Sequence, residues 1–305
     1  MRKWILAIPA LLLAVAYFLP EQRVTQTTFL TDLPVQVVLR TLADTNRWTQ
    51  WWPGKKINDT TYLIGEKAFI KSPVRVNGFS VTHANGTPSI RLDVDYQAAP
   101  GNQTSFQART TFLFSDNPFK KIGQHFDYAG WKKTAEDFND SLKSYFNNDE
   151  NIYGFRIRKE KVPNAHYISV SSVYQDPPEQ AGIDSLVAAL REYADAQQAT
   201  IVNQPIMHVI QDGGKHKIMV ALPTNRELPS GNGFQYKQMI LGFILVADVR
   251  GGPHKIRQCQ EAMERYMMDH GQSSPAIPFQ RMLTDRARVK DTSNWMTAVN
   301  YPVFN

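Results

Sequence analysis

The sequence predicts an α+β protein built as two units behind an amino-terminal helical segment. Stretches of period-two alternation separated by turn pairs recur in both halves, which is the pattern of antiparallel strands. Amphipathic helical stretches interrupt or close those runs. Near residues 153–154 the pattern resets: a helix ends, and a new strand and helix series begins. With 305 residues, each half has enough chain to bury its own core. The units are placed at residues 22–150 and 151–305, after a leading segment at 1–21.

The leading segment opens with Arg2 and Lys3, then runs uncharged through residues 4–19 with Pro9 as its one helix irregularity. Roughly 17 apolar residues is the short limit for crossing a bilayer and slightly exceeds the apolar part of a signal peptide. Ala14, Val15 and Ala16 offer a cleavage pattern, while Tyr17, Phe18 and Leu19 carry the apolar run past it. That continuation, with Trp4, Tyr17 and Phe18 at interfacial positions, favours an uncleaved anchor over a cleaved leader. The positive-inside rule then predicts a single-pass membrane protein whose domains lie on the extracytoplasmic side.

Composition is ordinary for a globular chain, with 42% hydrophobic and 20% charged residues. The 34 basic and 28 acidic residues leave +6, scattered through both halves without a Lys/Arg run. That distribution favours weak attraction to anionic surfaces and argues against a nucleic-acid partner, which calls for a concentrated basic stripe. A single cysteine, Cys259, excludes an internal disulfide and a Cys-rich zinc site.

In the first unit a strand at 23–30 precedes Asp32, placed as a helix cap, and Pro34 in the first turn. Val35, Val38, Leu39 and Leu42 follow at helical spacing. Trp48, Trp51 and Trp52 put three indoles in five residues, which must lie against apolar surface. Strands are predicted at 60–64, 67–72, 79–83, 90–96 and 105–114, with turns at Asn77-Gly78, Asn85-Gly86 and Pro100-Gly101. Tyr128, Trp131, Ala135, Phe138, Leu142, Tyr145 and Phe146 then form one face of a closing helix. This order, with the Asn-x-Trp-x-x-Trp-Trp-Pro stretch from Asn46 to Pro53, resembles the START-like (SRPBCC, polyketide cyclase-like) superfamily. The resemblance implies a curved sheet wrapped around the last helix, a helix grip, with a deep apolar cavity. Trp48, Trp52, Phe112 and Trp131 are the candidates to line it; the alternative is that these rings fill the core.

The second unit carries a strand at 167–174, a helix at 179–197, a hairpin of 205–210 with 217–222 around Gly213-Gly214, and a strand at 239–249. A helix at 253–270 and strands at 279–284 and 294–301 complete it. Each half reads strand, helix, strand, strand, and such duplication implies a cleft between repeats. Asn203-Gln204-Pro205, Ala221-Leu222-Pro223, Gly251-Gly252-Pro253-His254 and the ending at Thr297 to Val303 are similar to the gyrase-inhibitor-like effector-binding domain, found also in AraC-type regulators. Members that bind cations carry a buried Glu and, two residues later, a Tyr, which supply countercharge and an aromatic face. Gln280 and Met282 stand at the matching positions, a pair that suits a neutral or weakly polar ligand, or no ligand at all. Tyr174, His208 and Trp295 are further candidates for the cleft; for His208 the alternative is simple packing.

No nucleophile elbow, zinc-protease, P-loop or dinucleotide fingerprint is present. His208 and His216 flank the hairpin turn, a spacing that allows them to face each other across the ladder, yet no strand-register Cys or carboxylate completes a metal site. Asp93 and Asp95 share a strand face and read as a weak acid pair or, more often, a solvated rim. No catalytic residue, metal or cofactor is expected. The expected function is that of a membrane-anchored, non-catalytic binding protein for a small hydrophobic or lipid-like ligand. The alternatives are a hydrolase or cyclase working in one cavity, or an interaction protein with both pockets filled.

Overall fold

Period-two alternation becomes two antiparallel sheets in the computed structural model, which describes residues 16–86 and 89–304. The chain divides into two units at residues 148 and 149. The α+β class expected from the sequence holds in each.

The first unit runs β1 (Gln22–Thr31), α1 (Val35–Ala43), α2 (Trp48–Trp51), β2 (Lys55–Lys56), β3 (Thr61–Ile64), β4 (Lys67–Lys71) and β5 (Gly78–His83). It continues through β6 (Ser89–Ala99), β7 (Gln103–Leu113), α3 (Pro118–Phe126) and α4 (Tyr128–Phe146). The strands form a seven-stranded sheet in the order β1-β7-β6-β5-β4-β3-β2, so the first strand pairs with the last. β6 and β7 alternate cleanly: Ile90, Leu92, Val94 and Tyr96 are buried on one, Phe106, Ala108 and Phe112 on the other. Gly101 and Asn102, both at positive φ, make the turn between them. α4 buries Phe138, Leu142, Tyr145 and Phe146 at spacings of three and four. Its end is fixed to β1 by the Thr31 hydroxyl, which donates to the Phe146 carbonyl at 2.5 Å.

Asp32 does not cap α1. The cap position falls on Pro34, and the Asp32 carboxylate instead accepts from Gln103 Nε2 at 2.6 Å. Leu33, fully buried, moves the chain inward between them.

The second unit runs α5 (Asp149–Tyr153), β8 (Ile157–Lys161), β9 (His166–Tyr174), α6 (Gln180–Ala196), β10 (Ile206–Asp212), β11 (Lys215–Pro223) and β12 (Gln235–Gln238). β13 (Phe243–Arg250), α7 (Pro253–Asp269), β14 (Phe279–Met282) and β15 (Met296–Val303) follow. Its eight-stranded sheet has the order β12-β9-β11-β10-β14-β15-β13-β8. The order reads alike from both sides of the centre, β9-β11-β10 against β14-β15-β13. Gly213 and Gly214, both at positive φ, close the β10–β11 hairpin. Residues 239–242, expected as strand, form an irregular crossing between β12 and β13. His208 and His216 do not meet: His208 pairs with Met219, and His216 with Gln211.

The single-pass membrane localisation expected from residues 4–19 is corrected. No helix among the described residues is long and apolar enough to cross a membrane. Only residues 16–18 of that segment are described as helix; residues 1–15, with most of the proposed anchor, lie outside the described residues.

Candidate functional site

Alternation along the strands of the second unit gives its sheet two different faces. Ile168, Met207, Ile218, Val220, Leu222 and Met282 point one way, into a core shared with Ile183 and Leu190 of α6. Tyr167, Ile206, Ala221 and Phe279 point the other way and form a separate cluster with Met239. α7 buries Cys259 and Met263 against β13 and β15. The face bearing Tyr167 and Phe279 is covered by the irregular crossing and by the loop before β14.

The two repeats join through a short ladder. β10 and β14 pair over two residues only, Ile206 with Arg281 and Met207 with Gln280. Just beyond, His208 Nδ1 lies 2.6 Å from the Pro278 carbonyl oxygen, and Met282 N–H donates to Pro205 O at 2.9 Å. Proline supplies no N–H, so at Pro278 the ladder cannot continue from that residue.

Where the ladder stops, a cavity of about 680 Å³ opens. Its floor is Tyr167, Ile206, His208, Met219, Ala221 and Phe279; residues 237–243, 275–277 and 302–304 complete the wall. This is the size range of small-molecule pockets, roughly 300–1,000 Å³. At the mouth stand Ile240 (88% exposed), Leu241 and Phe304 (66% each) and Ile277 (53%). Scattered exposed apolar side chains are common on any surface, but four around one opening make an apolar entrance. The polar groups of the lining are few: the His208 imidazole, the Tyr167 phenol, the Lys237 ammonium and the Gln238 amide. Burial pushes the Tyr167 phenol up to about 12, with Arg281 opposing, so it stays neutral. Burial pushes the His208 imidazole below its ordinary value, with the Pro278 hydrogen bond opposing. No Asp or Glu lines the cavity.

His208 is thus the sequence candidate that reaches this cavity. Gln280 and Met282 alternate onto the side of Met207, and Met282 is 5% exposed in the α6 core. Tyr174 packs on the same side, its hydroxyl close to Gly182 of α6. Trp295 is 5% exposed, donates from Nε1 to the Val289 carbonyl at 2.8 Å, and lies under the Arg286 guanidinium at 4.5 Å.

In the first unit Trp48 is wholly buried, with Trp51 at 4.8 Å, Phe79 at 4.9 Å and Trp52 at 6.3 Å between ring centroids. Trp48 Nε1 donates to Leu42 O and Trp52 Nε1 to Leu63 O, both at 2.7 Å. Phe112 meets Tyr128 edge-on at 5.1 Å. Trp131 is half-buried, with Lys67 Nζ 4.1 Å from its ring and His83 at 4.8 Å. Trp48 and Trp52 come together; Phe112 and Trp131 take other partners. Asp93 and Asp95 pair separately, with Arg91 at 2.9 Å and Arg75 at 3.6 Å. Among the described residues no group of three or more His, Cys, Asp or Glu is placed to hold a metal ion.

Sequence reasoning missed Tyr167, Phe279 and the crossing at 239–242. The signal for the last was Gly242 within an apolar run, and for the rim Pro275 and Pro278 around Ile277.

Compared with models of known protein families and with curated proteins, the sequence matches none. Among solved structures the chain is similar to the EcmrR C-terminal domain, at 12% identity and a TM-score of 0.42 over 49% of this chain and 97% of that one. It is also similar to SAV2435 bound to tetraphenylphosphonium, at 14% identity and a TM-score of 0.33 over 48% and 93%. A third likeness is to Ara h 8.0201, at 10% identity and a TM-score of 0.27 over 40% of this chain and 99% of that one.

Proposed function

We propose that the second unit, residues 151–305, binds a small apolar molecule, neutral or weakly polar, in the cavity on the Tyr167 and Phe279 face of its sheet. The observation that carries this reading is the cavity itself: about 680 Å³, floored by apolar side chains and reached through an apolar mouth, with no carboxylate in its lining. Desolvating a cation there lacks a countercharge, whereas an apolar body gains about 25 cal/mol for each Å² removed from water. His208 and Tyr167 are the polar contacts that orient the guest. The symmetric strand order supports reading this unit as a duplicated effector-binding type of module. The pairing of β1 with β7 and the long α4 support a START-like, helix-grip reading of residues 22–150.

A fluorescence titration with the neutral dye N-phenyl-1-naphthylamine tests the reading. Saturable binding is expected in the wild type. Ala221→Phe, which places a ring in the floor, is expected to weaken it by at least about tenfold, the loss of a buried apolar contact of ~1.4 kcal/mol or more. Equal dye binding in both proteins overturns the assignment.

A further inference from the structure

A second depression, of about 730 Å³, lies on the α6 side of the same sheet. One wall is α6, through Asp184, Val187 and Arg191; the other is Met282 and the chain that follows it to Arg288. Arg286 is in its lining and is 4% exposed. One guanidinium nitrogen donates to Thr297 Oγ1 at 2.7 Å, and the group lies over the Trp295 ring. Its buried Nε has no hydrogen-bond partner. Among the described residues no carboxylate comes within ion-pair distance of it.

A guanidinium stays charged at any ordinary pH, and a buried charge without a counterion is strongly unfavourable. The Trp295 face and one hydroxyl offset part of that cost. Of the two acids nearby, Asp184 accepts from Gln180 Nε2 at 2.7 Å and acts on the guanidinium only at longer range, and Asp285 pairs with Arg288 at 3.3 Å. Arg191 and Arg288 add positive charge at the exposed rim, while Val187, Met282 and Leu283 supply apolar wall.

We propose that this cleft is a second binding site, which takes an organic anion: a carboxylate or phosphate oxygen on the Arg286 guanidinium, with an apolar body against Val187, Met282 and Leu283. The site is separate from the apolar cavity on the opposite face, where the one cation, Lys237, stands in the wall. Arg is suited to this task because its planar donors match carboxylate and phosphate oxygens.

The test is calorimetric titration of the full chain with octanoate, inorganic phosphate and octyltrimethylammonium, each in the wild type and in Ala221→Phe. The Ala221→Phe background removes any octanoate held by the other cavity. Saturable octanoate binding is expected to persist there, with octyltrimethylammonium silent; a phosphate response stronger than that of octanoate assigns the head group to phosphate. Arg286→Met is expected to weaken binding by at least about tenfold, through loss of a charge-assisted hydrogen bond. If Arg286→Met does not fold, two exposed or half-exposed positions decide. Arg191→Gln is expected to weaken and Asp184→Asn to tighten the anion by about two- to fivefold. Absence of saturable binding by either anion, or binding that neither of these two changes moves, overturns the proposal.

Discussion

His208 Nδ1 lies 2.6 Å from the Pro278 carbonyl oxygen, at the point where β10 and β14 stop pairing. A carbonyl only accepts, so Nδ1 carries the proton and the neutral ring keeps Nε2 as its acceptor. The contact takes the place of a ladder hydrogen bond and ties the loop before β14 to the central strand.

Burial holds the His208 imidazole below its ordinary 6.5, so the folded state resists a second proton more than the unfolded state does. The stability this group contributes is complete above about pH 6.5 and is lost as pH falls through the depressed folded value. His208→Gln, whose amide can still donate to Pro278, is expected to flatten the fall of Tm between pH 7 and pH 5. Scanning calorimetry of both proteins across that range checks this; parallel slopes exclude His208 as the responsible group.

Gln280→Glu tests which face of β14 meets the cavity. Gln280 sits opposite Met207 on one side and Val299 on the other, both buried in the helix-bearing direction. A carboxylate there meets apolar neighbours and not the apolar cavity. The expected result is a stability loss of roughly 1–3 kcal/mol in urea unfolding, with no gain in tetraphenylphosphonium affinity. Unchanged stability together with new cation binding sinks this face assignment.

The same one-residue alternation explains what could be read in advance. The closing helix, the β6–β7 hairpin and the Gly213-Gly214 turn were legible because their periods and φ requirements are local. Which face of a strand meets a cavity depends on register and on what covers it, and a slip of one position moves every side chain to the other side. Gln280 and Met282 therefore lie on one face while Phe279 and Arg281 lie on the other. β8 was missed because Arg158, Lys159, Glu160 and Lys161 carry charge, which an edge strand tolerates and often uses. Residues 239–242 were misread as strand because an apolar run that roofs a cavity has the composition of one that fills a sheet.

Trp48 marks the packing of the first unit. It touches three aromatic neighbours within 5.8 Å and satisfies its Nε1 on the Leu42 carbonyl, with no solvent exposure. Trp48→Ala is expected to lower the stability of that unit by about 3–5 kcal/mol, from lost contacts and the space left behind. Below its unfolding midpoint the variant is expected to bind N-phenyl-1-naphthylamine as the wild type does. A stability change under about 1 kcal/mol contradicts the packing role.

Cys259 is wholly buried on the inner face of α7, and burial, helped by the negative charge of Asp248, pushes its thiol up to about 12. The thiolate is the nucleophile, so at pH 8 the folded protein presents almost none of the reactive form and no path to it. Ellman's reagent is therefore expected to leave the native protein unlabelled at pH 8 and to label it at a rate that rises with urea through the unfolding transition of the second unit. Rapid labelling of the folded chain means that α7 opens locally at far lower cost than the unit unfolds. Because the shifted pKa exceeds the unfolded value, the neutral thiol also stabilises the fold increasingly less as pH rises from about 9 towards 12. Cys259→Ala is expected to make that alkaline decline shallower, and an unchanged decline assigns it to other groups such as the Tyr167 phenol.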